Sequence, residues 1–285
     1  MQPEYKCNLL IPGFPKSGTS SLHEFLDSSS QVCMSRPKEC HYFARDSVFA
    51  RGPEFHNSIF CASSPVPYYG ESSTIHCISS LAIGRIKECL FNPKIIFLIR
   101  NPIDRTISHY RWLYSKGTEQ LPFKKAISKY GYTFDPELPE DGCYKAYIEF
   151  SRYSVWIPRW IKAFGEDSIL IIRSEELLKN RQEVLKACSS FLRIQPIASP
   201  AENINQTRDV VGVKKSSFSR LAHKYLPARL KNSLRSSSLL TLAWRRSQYV
   251  TSQIVPPDIS ACDRDLIGDM LSEDLVYYNH LFGLN

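Results

Sequence analysis

No two of the nine cysteines are separated by two residues, so the Cys-x-x-Cys spacing of zinc knuckles and thioredoxin-like redox pairs is missing. An odd number of cysteines scattered from Cys7 to Cys262 reads as buried thiols of a reducing compartment and not as a disulfide framework. Long apolar runs are missing as well. The longest is Ile95-Ile96-Phe97-Leu98-Ile99, far short of a membrane span. The opening MQPEYKCN has no basic region followed by an apolar stretch, so the expectation is a cytoplasmic protein with no integral membrane association. His56, His76 and His109 lack metal-ligand spacing, and no run of carboxylates resembles a divalent-cation loop; no metal is expected. Charged residues make up only 22% of the chain, against 43% hydrophobic, which excludes wholesale disorder.

The 285 residues suffice for one large α/β domain with an ample core, and neither a linker nor an internal repeat divides them. The net charge of +8 is local: Arg208 to Arg246 holds ten Lys and Arg against Asp209 alone. A basic block of this kind points to an anionic ligand or to a solvated basic face. Its aromatics Phe218, Tyr225 and Trp244 are too far apart to stack successive bases, so no nucleic acid is expected as a partner.

A strand is expected from Tyr5 to Ile11, ended by Pro12-Gly13, and then a helix from Thr19 to Asp27 with Leu22, Phe25 and Leu26 on one face. Residues 31–70 read as a long irregular region, broken by Pro37, Pro53, Pro65 and Pro67. A helix from Ser79 to Phe91 precedes the strand Lys94–Ile99, and Pro102 opens a helix that runs to Ser115 before Gly117. Then come a helix Tyr153–Phe164, a strand Ser168–Ile172, helices near 174–193, a basic helical region over 217–250 and a last helix Asp263–Phe282. The alternation predicts an α/β fold with a central parallel β-sheet flanked by helices.

Two segments carry chemistry. Gly13-Phe14-Pro15-Lys16-Ser17-Gly18-Thr19-Ser20 joins the first strand to the first helix, where successive N–H groups and the helix dipole form an anion cradle. Lys16 adds a charge, and Ser17, Thr19 and Ser20 add hydroxyl donors. It is not a Walker A loop, because Thr19 follows Gly18 where that pattern needs Lys-Ser/Thr; an ATP-dependent P-loop kinase is the weaker alternative. Arg100 ends the strand Lys94–Ile99 at the sheet edge where α/β proteins bind ligands, and Ser108 lies about two turns into the next helix. An Arg and a hydroxyl so placed suit one phosphate.

Together the two segments resemble the sulfotransferase superfamily that uses 3′-phosphoadenosine 5′-phosphosulfate (PAPS). Pro15-Lys16-Ser17-Gly18-Thr19-Ser20-Ser21-Leu22 matches its 5′-phosphosulfate loop, and Arg100-Asn101-Pro102-Ile103-Asp104-Arg105-Thr106-Ile107-Ser108-His109-Tyr110 its 3′-phosphate motif. Weaker similarity continues to Arg173-Ser174-Glu175-Glu176-Leu177 and Phe191-Leu192. The resemblance implies a P-loop-like fold in which Lys16, Ser17, Gly18, Thr19 and Ser20 hold the 5′-phosphosulfate and Arg100 and Ser108 hold the 3′-phosphate. It implies sulfuryl transfer to a hydroxyl or amine of a small-molecule or saccharide acceptor, with Lys16 stabilising the leaving phosphate and no metal.

Lys38-Glu39-Cys40-His41-Tyr42-Phe43 is similar to the Lys-Glu-x-His-Phe-Phe element of the heparan-type branch, which implies Glu39 as general base and His41 as its neighbour. If the segment is extended, Glu39 and His41 lie on one side of it. Glu71, in Tyr69-Gly70-Glu71-Ser72-Ser73-Thr74, resembles a second acidic element of that branch without its Lys, Pro and Tyr, and is the rival base or a helix cap. Asn205-Gln206-Thr207-Arg208 loosely resembles the stretch before the cofactor-covering loop, which makes Lys214 and Lys215 candidates for the 3′-phosphate. The leucines Leu239, Leu240 and Leu242 leave homo-oligomerisation open.

Overall fold

The computed structural model describes residues 5–138, 145–198, 214–215, 249–250 and 255–284. Its centre is a five-stranded parallel sheet in the order β2-β3-β1-β4-β5. These strands are β1 (Leu9–Leu10), β2 (Val32–Met34), β3 (Tyr68–Glu71), β4 (Lys94–Ile99) and β5 (Ile169–Arg173). Five consecutive buried residues in β4 reflect a strand covered on both faces, which needs apolar side chains in both directions. Their alternation sorts them into two cores. Ile95, Phe97 and Ile99 face one with Leu10, while Ile96 and Leu98 face the other with Leu9 and Ile11.

The second core is covered by α1 (Thr19–Asp27) through Leu22, Phe25 and Leu26. After β5, α8 (Ser174–Lys179) and α9 (Arg181–Leu192) join it through Leu177, Leu185 and Leu192. Among the described residues, four helices between β3 and β5 cover the first core: α4 (Ser80–Cys89), α5 (Pro102–Ser115), α6 (Phe123–Tyr130) and α7 (Tyr153–Phe164). Two of them, α4 and α5, start at capping side chains. Ser79 caps α4 by accepting from the Ala82 N–H at 3.1 Å, and Asn101 caps α5 through the N–H groups of Ile103 and Asp104, with Pro102 in the first turn.

The single α/β domain with a parallel sheet agrees with the sequence expectation, but several local readings change. The first strand pairs only at Leu9–Leu10, flanked by single bonds such as Ile11 N–H to Glu71 O at 2.8 Å. Residues 31–70, expected to be irregular, contain β2, α2 (Asp46–Phe49), α3 (Gly52–Ser58) and the start of β3. Strands of three and four residues are too short to show a period. Helix α6 is a further element beyond the expected ones.

The expected last helix is two, α10 (Ala261–Met270) and α11 (Ser272–Phe282), parted at Leu271. One non-helical residue leaves the apolar stripe nearly in phase, so periodicity did not reveal it. The bend seats the Asp274 carboxylate on the Ser154 N–H and hydroxyl at the start of α7, at 2.9 and 2.7 Å. Lys214–Lys215 (β6) pairs antiparallel with Tyr249–Val250 (β7). The expected basic helix over 217–250 and the 205–208 stretch lie outside the described residues, except for Tyr249–Val250.

Candidate active site

The strand order reverses between β1 and β4, which pair at Leu9–Lys94 and Leu10–Ile95, so the loop after β1 and the tip of β4 meet at one edge. The 13–18 loop is wound by left-handed residues at Gly13 (φ 48°), Lys16 (φ 71°) and Gly18 (φ 92°). A Cβ on Gly13 would lie 2.1 Å from the Thr19 methyl carbon, so the close approach of the loop to α1 requires glycine there. Gly18 caps α1 with no side-chain hydrogen bond, which leaves the first-turn N–H groups to an incoming acceptor. Within this loop the Ser17 hydroxyl is buried without a protein partner. Thr19 is buried and Ser20 exposed on α1.

The Lys16 ammonium lies 5.3 Å from the centre of the Trp112 ring, and Lys116 lies 3.9 Å from the same ring. Burial, followed by the charges of Arg100 and Lys116, pushes the Lys16 pKa down to about 8. Arg100 is half-buried at the tip of β4, its carbonyl accepting from the Tyr153 hydroxyl at 2.9 Å. Ser108 is half-buried on α5. Among the described residues neither Lys16 nor Arg100 has an ion-pair partner, so the positive charge in the loop is uncompensated.

Behind the loop lies a residue that the sequence reading gave no role. Arg105 is fully buried on α5 and donates to Pro15 O at 3.4 Å, Ser151 Oγ at 2.5 Å, Thr106 Oγ1 at 3.1 Å and Tyr147 O. It also meets His109 Nδ1 at 3.2 Å, one helical turn along. Burial lowers the Arg105 pKa to about 10, and burial with the nearby Arg105 and Lys16 charges keeps His109 neutral. His109 therefore belongs to the buried scaffold under the loop and not to the surface. The i, i+4 spacing of Arg105 and His109 was the available signal.

The segment with Glu39 packs beside this loop. Lys38 Nζ donates to Glu39 Oε1 at 3.0 Å, to Thr19 Oγ1 at 3.4 Å and to Ser72 O at 3.4 Å, so one ammonium spans the start of α1 and the Glu39 carboxylate. Glu39 Oε2 accepts from the Thr74 hydroxyl at 2.7 Å, and the Glu39 side chain remains 26% exposed. The expectation of an extended segment is corrected. His41 is left-handed at φ 58°, residues 42–44 form a turn, and the His41 N–H donates to Ser73 Oγ at 2.9 Å. The tight entry to that turn buries His41 and removes the alternation of a strand. Burial, reinforced by His76 and Arg45 against the opposing pull of Glu39, lowers the His41 pKa to about 4, so the ring is neutral at pH 7.

Glu71, at the end of β3, is 1% exposed. Its Oε2 accepts from Cys40 Sγ at 2.7 Å and lies 3.4 Å from His56 Nε2; its Oε1 lies 2.9 Å from His76 Nδ1. Burial alone would raise the carboxyl pKa, but His76 and His56 outweigh it and hold the group well below the usual carboxylate range. Glu71 caps no helix: the turn that follows, Thr74–Ile78, is preceded by Ser73. No helix among the described residues is long and apolar enough to cross a membrane.

The family model described as "Sulfotransferase domain" matches residues 6–233. The chain is 28% identical over 193 residues to heparan sulfate glucosamine 3-O-sulfotransferase 5 of Mus musculus, a match covering 66% of this chain and 53% of that protein. It is 27% identical over 196 residues to bifunctional heparan sulfate N-deacetylase/N-sulfotransferase 1 of Xenopus tropicalis, covering 65% of this chain and 22% of that one. This chain thus spans about half the length of the first relative and about a fifth of the second. A solved sulfotransferase from Alicyclobacillus acidocaldarius superposes with a TM-score of 0.62 at 22% identity, covering 85% of this chain and 100% of that one, which shows a common fold. With the match to the family model running through both the 13–20 loop and the Arg100 segment, the chain belongs to the sulfotransferase family.

Proposed function

We propose that this sulfotransferase moves the sulfuryl group of PAPS onto a hydroxyl or amine of a small-molecule or saccharide acceptor. The observation that carries the reading is the pairing of an uncompensated cationic loop with a partly exposed carboxylate, joined by Lys38. The loop fits a phosphosulfate group: a buried Ser17 hydroxyl has no protein partner, and Lys16 sits among like charges with no carboxylate. Bound there, PAPS supplies an activated sulfuryl group on a phosphate leaving group.

Lys16, Ser17, Gly18, Thr19 and Ser20 would hold its 5′ end, and Arg100 and Ser108 its 3′-phosphate. Lys16 offsets negative charge on the leaving side, where a preorganised cation in a water-poor site acts most strongly. Glu39 accepts the proton of the attacking group, and the neutral His41 beside it supports the acceptor. Glu71 is enclosed by Cys40, His56 and His76, which favours Glu39 over it as the base. Positioning the two reactants in line accounts for much of the acceleration in such transfers. The saccharide option draws on the heparan-sulfate relatives. A cytoplasmic location draws on the cysteines, which are free thiols throughout the described residues.

The test is calorimetric titration with 3′-phosphoadenosine 5′-phosphate without metal, beside ATP with magnesium, followed by turnover of Glu39→Gln. Binding of the first ligand, lost in Arg100→Ala, and a roughly 10²–10⁴-fold fall in kcat for Glu39→Gln at unchanged nucleotide affinity are expected. Binding of ATP alone would reassign the chain to kinase chemistry, and a Glu39→Gln protein of normal kcat would remove the base.

A further inference from the structure

Behind the Glu39 segment, Cys40, His56 from α3 and Glu71 from the end of β3 converge, each offering a donor atom within 4.8 Å of the other two. All three are buried. The Cys40 sulfur and the His56 Nε2 approach the same Glu71 oxygen, at 2.7 and 3.4 Å. Buried polar groups normally find hydrogen-bond partners, yet His56 Nδ1 and His76 Nε2 have none in the protein. The three donor atoms meet only at one Glu71 oxygen, and the polar atoms bordering them are left unsatisfied by hydrogen bonding. It is walled by aromatic rings, with Tyr42 stacked on His56 at 4.4 Å and Phe43 and Phe60 edge-on to it.

The geometry points to a structural divalent-cation site, with Cys40, His56 and Glu71 as ligands and a thiophilic ion of the zinc class as occupant. Three observations select that class. Sulfur and imidazole nitrogen among the donors disfavour magnesium and calcium, which take oxygen. The 3.4 Å between His56 Nε2 and Glu71 Oε2 matches the roughly 3.3–3.8 Å edge of a tetrahedral shell built from zinc bonds of ~2.0–2.3 Å, and the 2.7 Å from Cys40 Sγ to that oxygen is a hydrogen bond that the ion would replace. A dication over one thiolate and one carboxylate sums to zero charge, the condition a buried site tolerates. His76 Nδ1, 2.9 Å from the second carboxylate oxygen, stands where an outer partner orients a ligating carboxylate. Binding is a simple exchange: the Cys40 S–H bond breaks, its proton leaves to solvent, a sulfur–metal bond forms, and nothing is oxidised or reduced.

The ion would sit beside the transfer reaction and take no step in it. Cys40 lies between Glu39 and His41. Glu71 leads directly to Ser72, whose carbonyl accepts from Lys38, and to Ser73, whose hydroxyl receives the His41 N–H. A bond from Cys40 through the metal to Glu71 would pin the segment carrying the proposed base to the central sheet.

Cobalt(II) replacing zinc in the full chain, after treatment with a chelator, gives a readout that does not depend on sulfuryl transfer. A single equivalent should produce a thiolate-to-cobalt charge-transfer band, displaced by zinc and unaffected by magnesium, and zinc alone should raise the thermal midpoint. Cys40→Ser should abolish the band. Removing the exposed thiols with Cys61→Ser and Cys262→Ser should leave it intact. Should Cys40→Ser fail to fold, His56→Gln should weaken cobalt affinity at least about tenfold. Absence of the band in the unmutated chain, its survival in Cys40→Ser, its loss with the exposed thiols, or unchanged affinity in His56→Gln would each overturn the site.

Discussion

Replacing Lys16 by Met should stabilise the ligand-free protein while removing its capacity to bind the nucleotide. The Lys16 ammonium is held at a pKa of about 8 against an ordinary 10.5, by burial and by Arg100 and Lys116. A depressed lysine pKa means that the charged form disfavours the folded state at any pH below about 8, and the penalty disappears as pH rises from 8 towards 10.5. The full shift corresponds to roughly 3 kcal/mol at pH 7, and solvent screening of a partly exposed ammonium reduces it to about 1–2 kcal/mol. Methionine keeps the unbranched stem and meets the same left-handed backbone, so strain cancels in the comparison. For a chain of this size the gain amounts to a rise of roughly 2–6 °C in Tm at pH 7, shrinking at pH 9. Differential scanning calorimetry at both pH values, with and without 3′-phosphoadenosine 5′-phosphate, tests this. A Lys16→Met protein less stable than the parent at pH 7, or an advantage that grows with pH, refutes the electrostatic reading of the loop.

Gly13→Ala places a methyl carbon 2.1 Å from the Thr19 side chain in a left-handed residue and should cost about 2–4 kcal/mol in urea unfolding. Adding Thr19→Ser, which removes the obstructing methyl and keeps the hydroxyl facing Lys38, should recover part of that loss; no recovery sinks the steric account. Arg105→Lys leaves Pro15 O and Tyr147 O short of donors and should cost about 2–4 kcal/mol, with weaker nucleotide binding because Pro15 belongs to the loop. Unchanged stability and affinity in that variant would show that Arg105 does not support the loop.

The parts of the molecule that were legible in advance carry strong local chemistry. Strand β4 announced itself by five apolar residues in a row, and α5 by Asn101 and Pro102 at its start, and both have the expected limits. The 13–20 loop was legible because glycines, a lysine and hydroxyls stand between a strand and a helix. Strands β2 and β3 were not, because Val32–Met34 and Tyr68–Glu71 draw their strand character from neighbours in the sheet and not from their own pattern. Glu39 and His41 could be named but not shaped, since nothing in their order signals a left-handed histidine. The enclosure of Glu71 was out of reach altogether: Cys40, His56 and His76 reach it from separate segments, and only the fold brings them together.

Strand β1 is two residues long and yet occupies the centre of the sheet, paired with β3 on one side and β4 on the other. Its ladder closes only after a chain excursion to Gly70 and a second to Lys94, so it cannot form as a local unit. Long-range parallel pairings of this kind assemble late and slowly, because loop closure precedes any compensating contact. The 13–18 loop hangs from the end of that strand, so its shape comes into being only when the whole sheet does. Fragments ending short of β4 would contain every residue of the loop and none of its geometry, and a chain with a competent loop is a chain whose central sheet has already closed.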